Sequence, residues 1–195
     1  MTLSRRGFLR ASYGAAAAAT AVTVGQTVSP LKDVALLAPR IPDIGPQGLP
    51  VNRSARDAQI VVAEDYRLTL EGGPVAMTLT LQELQTMAQH TVHLPIACVE
   101  GWSAMAAWSG VRVRDLLDRA GIPHDRRILV DSLEQHGSYR SSVLDRGHAR
   151  NNLTLLALRV HGQELAPDHG YPARLIAPDR PGVLQTKWVS RLCAL

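Results

Sequence analysis

The chain has 195 residues, 21 Lys and Arg against 17 Asp and Glu, and an apolar fraction of 46%. That length holds one domain with a short appendage, and the composition excludes both wholesale disorder and a multi-span membrane protein. Two cysteines are too few for a disulfide scaffold, so the fold must stand on its packing.

Residues 4–10 read Ser-Arg-Arg-Gly-Phe-Leu-Arg and run into a weakly apolar, Ala-rich stretch. Twin arginines (Arg5, Arg6) with Phe8 and Leu9 behind them are the pattern of a bacterial twin-arginine export signal. Arg10 interrupts the apolar run, and Ala, Thr and Gly follow rather than Leu and Ile, which disfavours a transmembrane helix. Residues 1–30 are therefore predicted to be an export signal, directing the protein to the periplasm or cell envelope. The leader is either cut near Ala19–Ala21 or kept as an anchor. It holds three of the basic residues and no acidic one, leaving 18 against 17 and a net charge near +1. No surplus remains to attract nucleic acid. The twin-arginine route carries proteins folded before export, so a cofactor inserted in the cytoplasm is expected.

Residues 38–50 carry four prolines and two glycines, and 31–50 read as an extended arm leading into a domain over 51–195. Tyr66, Leu68 and Leu70 alternate as a half-buried strand does. Thr80-Leu-Gln-Glu83 is a capping box that opens a short helix to about Gln89. Val113, Leu116, Leu117 and Ala120 share a helical face that stops at Gly121-Ile-Pro123. Strand-like runs follow at 128–130, 154–160, 174–177 and 188–192, with a hairpin turn at His161-Gly162. Strands outnumber helices without alternating regularly with them, so the fold class is α+β rather than a doubly wound sheet.

Residues 93–110 are the most informative. Cys98 ends a short apolar run and precedes a turn, and the residues alone allow three readings. It is a buried structural thiol, one half of a disulfide with Cys193, or a soft ligand to a metal. No Cys-x-x-Cys or His-x-x-x-His spacing accompanies it, which argues against tetrahedral zinc. A Cys-x-x-Cys-His haem motif is absent as well.

Cys98-Val-Glu-Gly-Trp-Ser, with Trp108 and Gly110 following, resembles the molybdenum-ligand segment of the sulfite-oxidase superfamily. It is most similar to the periplasmic molybdopterin-dependent methionine-sulfoxide reductase branch. His169-Gly-Tyr-Pro-Ala-Arg174-Leu through Gly182-Val183-Leu184-Gln185-Thr186-Lys187-Trp188 resembles the family's closing motif, with Leu165-Ala-Pro-Asp-His169 as its lead-in. The likeness covers about residues 50–193. It implies a mixed β-sheet molybdopterin-binding fold of the sulfite-oxidase type in a single domain.

By that resemblance, Cys98 gives molybdenum its protein thiolate, and a pyranopterin dithiolene gives the other sulfurs. Arg174 falls on a cofactor-binding arginine, Gly182, Val183 and Leu184 on a loop whose backbone approaches the cofactor, and Gln185 and Lys187 on its continuation, with Lys187 toward phosphate. His169 stands at a polar cofactor contact, Asn52 and Arg53 resemble a polar pair touching the pterin, and Ser132 matches a hydroxyl contact on the strand after the helix. Without the motif, Arg174 reads as a surface ion pair, Lys187 as a solvated strand end and both tryptophans as core. Trp102 and Trp108 are candidate walls of the metal site, Tyr139 and Arg140 candidates for the substrate mouth, and Glu100 for proton transfer.

The expected activity is oxygen-atom transfer, as reduction of a sulfoxide-like small-molecule or protein-bound substrate. Oxidation of a small anion in the manner of sulfite oxidase is the alternative. From another class, a cofactor-free exported binding domain with a Cys98–Cys193 disulfide also fits. Ala97 stands where the reductase branch has an arginine, and no immunoglobulin-like dimerisation domain is recognisable, so a monomer is expected. With no haem motif, electrons must pass through a separate carrier, such as a membrane cytochrome.

Overall fold

The computed structural model describes residues 13, 14, 16, 17, 44–98 and 102–195. The twin arginines, residues 31–43 of the arm and Glu100 lie outside the described residues. Two compact units are present, Met1–Ile41 with Glu100–Trp102, and Pro42–Val99 with Ser103–Leu195. In the first, Tyr13, Gly14, Ala16 and Ala17 are helical. Everything below concerns the second.

Two sheets organise this unit. The first runs in the order β2 (Met77–Thr80), β1 (Arg67–Glu71), β10 (Val189–Ala194), β5 (Ile128–Ser132), β6 (Ser141–Leu144). It is mixed, because β1 and β10 lie parallel while the other pairs are antiparallel. The second runs β3 (His90–Ala97), β4 (Ser103–Arg112), β7 (Leu155–Val160), β8 (Gln163–Glu164), with β9 (Arg174–Ile176) also on β7. Three short helices complete the unit: α1 (Leu81–Thr86), α2 (Val113–Arg119) and α3 (Arg146–Arg150). The expected α+β class with a mixed sheet is what forms.

One apolar cluster draws on both sheets and on α2. It includes Leu68 and Leu70 of β1, Val111 of β4, Leu116 and Leu117 of α2, Val130 of β5, Leu156 and Leu158 of β7, and Leu192 of β10. The predicted alternation in β1 holds: Tyr66, Leu68 and Leu70 are buried. Tyr66 is tied down at its polar end as well, its hydroxyl donating to the Val189 carbonyl at 2.5 Å. The α2 face predicted from Val113, Leu116, Leu117 and Ala120 is buried throughout, and Gly121 closes the helix at φ +66°. His161 and Gly162 both have positive φ and turn β7 into β8 with Val160 facing Gln163, the hairpin read from sequence.

Four details differ from the sequence reading. The Thr80–Glu83 capping box is present, yet α1 ends at Thr86 rather than near Gln89. The Gln89 side-chain amide donates to the Leu84 and Met87 carbonyls, ending the helix where β3 begins. The strand read from residue 188 starts at Val189, because Trp188 sits at φ +52°. The described end of the proline-rich arm is not extended: Ile44 pairs with Pro50 around a 3-10 turn at Pro46–Gly48. Gln47 fixes that turn by bonding to Glu164 O and Ala166 N. Finally, β3 and β4 form a long hairpin that the sequence reading did not separate, and Pro95 is accommodated because β3 lies at the sheet edge.

Tyr66→Phe is expected to lower the unfolding free energy by about 1 kcal/mol, read as an earlier urea midpoint at unchanged slope. An unchanged midpoint would show that the hydroxyl contributes nothing.

Candidate functional site

The site forms where three strand ends meet. The end of β3 carries Cys98, the end of β5 carries Ser132, and the start of β10 receives the connection that leaves β9 in the other sheet. Ala97 is the last residue of the hairpin ladder, facing Ser103, so Cys98 is the first residue free of it. Along β3, Val92 and Ile96 are buried on one face. One further step of that period-two alternation puts residue 98 on their side, toward the interior rather than the solvent face. The Asn52 amide nitrogen lies 3.8 Å from Cys98 Sγ, within range of a sulfur-accepting hydrogen bond.

The β9–β10 connection closes against this strand end. Pro181 bridges to Ala97, and Gly182–Leu184 follow as a 3-10 turn. A Cβ on residue 182 would stand 2.8 Å from Ile96 Cγ2 and 3.2 Å from the Ala97 carbonyl oxygen. Only glycine lets the loop come this close to the residue before Cys98.

Lys187 knits the far side of the cleft. Its ammonium donates to the backbone carbonyls of Arg53 and Asp168, each at 2.7 Å, and lies 5.3 Å from the centre of the Trp188 ring. Burial, followed by the nearby Arg174 charge, pulls its pKa down to about 7. The Asp168 carboxylate is occupied elsewhere, accepting from the Ala55 amide at 2.8 Å. Ser132 Oγ donates to the Lys187 carbonyl at 2.8 Å and accepts from the Glu134 amide at 3.0 Å. Glu134 in turn accepts from Arg53 Nε at 2.7 Å.

Arg174 is a buried cation, not the surface ion pair that its residue type suggests. Its Nη1 donates to the His169 carbonyl at 3.3 Å, its guanidinium lies 5.4 Å from the Trp108 ring centre, and its Nε has no partner among the described residues. Burial alone pushes its pKa down to about 10, so it stays charged at neutral pH. Trp108 is fully buried, with its indole N–H on the Leu94 carbonyl. A buried guanidinium with an orphaned N–H is a site built for a further acceptor.

The cleft, about 460 Å³ of empty space, is lined by Asn52, Arg53, Ser132, Glu134, Tyr139, Gly182, Val183, Gln185, Thr186, Lys187 and Trp188. Most of the residues singled out in the sequence are thus brought together. Cys98, His169, Arg174 and Leu184 are not among its lining residues, although Cys98 lies against Asn52, which is. The His169 imidazole is buried and donates from Nε2 to the Pro46 carbonyl at 2.6 Å, and burial lowers its pKa, so it acts as a neutral brace. Leu184 offers its carbonyl to Arg180. Gln185 donates to the Ala177 and Arg180 carbonyls, while its buried Oε1 has no partner among the described residues. Arg140 ties its own loop by donating to the Gln135 carbonyl and is not among the lining residues.

Glu134 was not found from sequence, while Asp168 and Thr186 were read only as members of the closing motif and its lead-in. The Cys98–Cys193 disulfide does not form: both thiols are free, and Cys193 lies on β10 opposite Leu129 of β5, in the sheet that does not contain β3. Among the described residues, no group of three or more His, Cys, Asp and Glu is placed to hold a metal ion.

The family described as the oxidoreductase molybdopterin binding domain matches residues 55–195. The mitochondrial sulfite oxidase of Drosophila melanogaster is 28% identical over 158 residues, covering 68% of this chain and 28% of that protein. An uncharacterised oxidoreductase of Bacillus subtilis, YuiH, is 29% identical over 114 residues, covering 58% and 56%. A chain of Azospira oryzae provisionally named as the protein-methionine-sulfoxide reductase subunit YedZ1 is 32% identical over 113 residues, covering 58% and 42%. The chain therefore spans from about a quarter to just over half the length of these relatives. The sulfane dehydrogenase SoxCD of Paracoccus pantotrophus shares the fold, with a TM-score of 0.60 at 22% identity over 75% of this chain and 40% of that one.

Two outcomes follow from the geometry. Gly182→Ala is expected to cost about 1–3 kcal/mol of stability, measured by urea unfolding, and no loss would mean the loop can retreat freely. For Lys187, the folded pKa of about 7 lies below the free value of 10.5. Between these values the unfolded chain holds a proton that the folded chain lacks, so this contribution to stability rises with pH through that window. Lys187→Met should flatten the rise, seen by comparing urea midpoints at neutral and alkaline pH. An unchanged pH dependence would place the ordinary amine pKa in the fold.

Proposed function

The chain belongs to the oxidoreductase molybdopterin binding domain family, and from that premise we propose an exported enzyme that reduces a sulfoxide-like substrate, with Cys98 as the protein ligand to molybdenum. Membership makes it an oxidoreductase of the sulfite-oxidase type and implies a molybdenum cofactor. The substrate, the direction of transfer and the residue roles are our reading.

The observation that carries it is the placing of Cys98. The thiol is held at a strand end, beside the Asn52 amide and behind a loop that only glycine fits, at the edge of a cleft walled by cations. Thiolate suits a soft metal ion, and coordination keeps the sulfur deprotonated. When bound, the molybdenum pyranopterin supplies two-electron oxygen-atom transfer. The chain holds and orients it. Arg174, buried with a free N–H, and Lys187 balance its anionic parts. Gly182 and Val183 let the backbone come close, and Asn52, Ser132, Gln185 and Thr186 offer polar edges. Arg53 takes part through its carbonyl, which anchors Lys187.

Reduction of a sulfoxide consumes two electrons and two protons and yields a sulfide and water. Lys187 Nζ, with its pKa near 7, can release and regain a proton inside the cleft at neutral pH. In this reading electrons come from a separate carrier, such as a membrane cytochrome. The second reading, oxidation of a small anion, is favoured by the sulfite oxidases among the relatives. It asks for free cations, and Arg53 is paired with Glu134. The twin arginines at 5 and 6 support export of the folded, loaded protein.

Protein from a molybdenum-replete host should carry about one metal per chain, and Cys98→Ala should lose it. Metal retained in the variant, or absent from the parent, overturns the assignment. The loaded enzyme should turn over methionine sulfoxide with an artificial donor faster than it oxidises sulfite, and the reverse order would favour the second reading. Replacing Arg5 and Arg6 with lysine should keep the protein in the cytoplasm, as followed by cell fractionation.

A further inference from the structure

Three charged side chains line the cleft: Arg53, Glu134 and Lys187. Their arrangement is uneven. The Glu134 side chain is only 6% exposed, whereas that of Arg53 is 47% exposed and reaches inward from the rim. Arg53 lays both Nε and Nη2 on one oxygen, Oε1, of Glu134. The acid cannot swing away easily. Its amide is fixed on Ser132 Oγ, and its chain bends tightly at Gly137, where φ is +128° and a Cβ would stand 2.9 Å from that same oxygen. Burying a carboxylate is costly unless it is paired, so the fold has built this partner for Arg53 into the cleft wall.

The pairing bears on what can reach Cys98. Asn52, whose amide lies against Cys98 Sγ, is followed directly by Arg53. Arg53 is thus the cation nearest in sequence to the thiol's own contact, and its guanidinium is spent on Glu134. Lys187 is held by two carbonyls and is only partly charged near neutral pH. Neither cation among the described residues that line the cleft is therefore free, and Arg174, with its unpaired Nε, lies outside that lining.

We propose that Glu134 is a specificity-determining residue: by holding Arg53 it withholds the cation an oxyanion needs and reserves the site for an uncharged polar substrate such as a sulfoxide. This rests on the sulfoxide-reductase reading and adds the residue that sets its substrate class. Selection works by leaving the wrong ligand unpaired, which discriminates more strongly than any added contact to the right one.

The probe is sulfate, the stable oxyanion closest in shape to sulfite, titrated calorimetrically into molybdenum-loaded protein at constant ionic strength. The parent should bind it weakly. Glu134→Gln keeps the shape, removes the charge and frees the guanidinium, and should bind sulfate about tenfold more tightly. The double variant Arg53→Gln with Glu134→Gln should lose that gain. No gain in Glu134→Gln, or a gain that survives in the double variant, overturns the proposal. Should Glu134→Gln not fold, the parent still decides: sulfate should leave its KM for methionine sulfoxide unchanged against a chloride control, and competitive inhibition would refute the idea. Sulfate binding needs no turnover. Loss of metal or preference for sulfite would therefore strike the reading above, while an absent gain in a sulfoxide-reducing enzyme strikes only Glu134.

Discussion

The site depends on burying cations with backbone carbonyls as their partners. Arg174 rests on the His169 carbonyl and the Trp108 ring, and Lys187 on the carbonyls of Arg53 and Asp168. Carbonyl oxygens solvate a charge without neutralising it, so the positive field stays in the wall instead of being cancelled by a carboxylate. Burial and the neighbouring Arg174 charge depress the pKa of Lys187 in spite of those carbonyls. The arrangement also dictates the surroundings. Carbonyls can be aimed at a buried ammonium only from fixed turns, and here they come from the 3-10 turn at Pro167–His169 and from the segment after the Pro46–Gly48 turn. His169, whose side chain does not line the cleft, is needed because its imidazole ties those two turns together.

Much of this was legible in the residues. The alternation of β1, the apolar face of α2, the capping box of α1 and the β7–β8 turn each rest on a local rule, and each formed. The β3–β4 hairpin was hidden because Pro95 breaks the usual strand signal, while its edge position, which makes the proline harmless, is a tertiary fact. Of the residues named from the motifs, Asn52, Ser132 and Lys187 line the cleft and Cys98 lies against Asn52. Glu134 was missed because a lone acid in a loop-like stretch carries no signal until Arg53 is seen beside it, 81 positions away. His169 and Leu184 show the converse error, since a motif marks a segment and only packing decides which of its side chains face the cleft.

Sequence distance gives the site its remaining logic. The contacts that build it join Asn52 to Cys98, Arg53 to Glu134 and Arg53 to Lys187, separations of 46, 81 and 134 residues. No short segment holds two walls of the cleft, and the β9–β10 connection crosses between the sheets to supply one of them. The cleft therefore exists only once both sheets have assembled around the shared core. A cofactor placed there would be gripped by the folded chain and by nothing short of it, and it would stabilise the fold in proportion to how tightly it is held. A protein of this kind loses its cargo if it is threaded through a membrane unfolded. The twin-arginine leader proposed for residues 1–30, the source of most of the chain's apparent basicity, would suit a protein whose site exists only when folded.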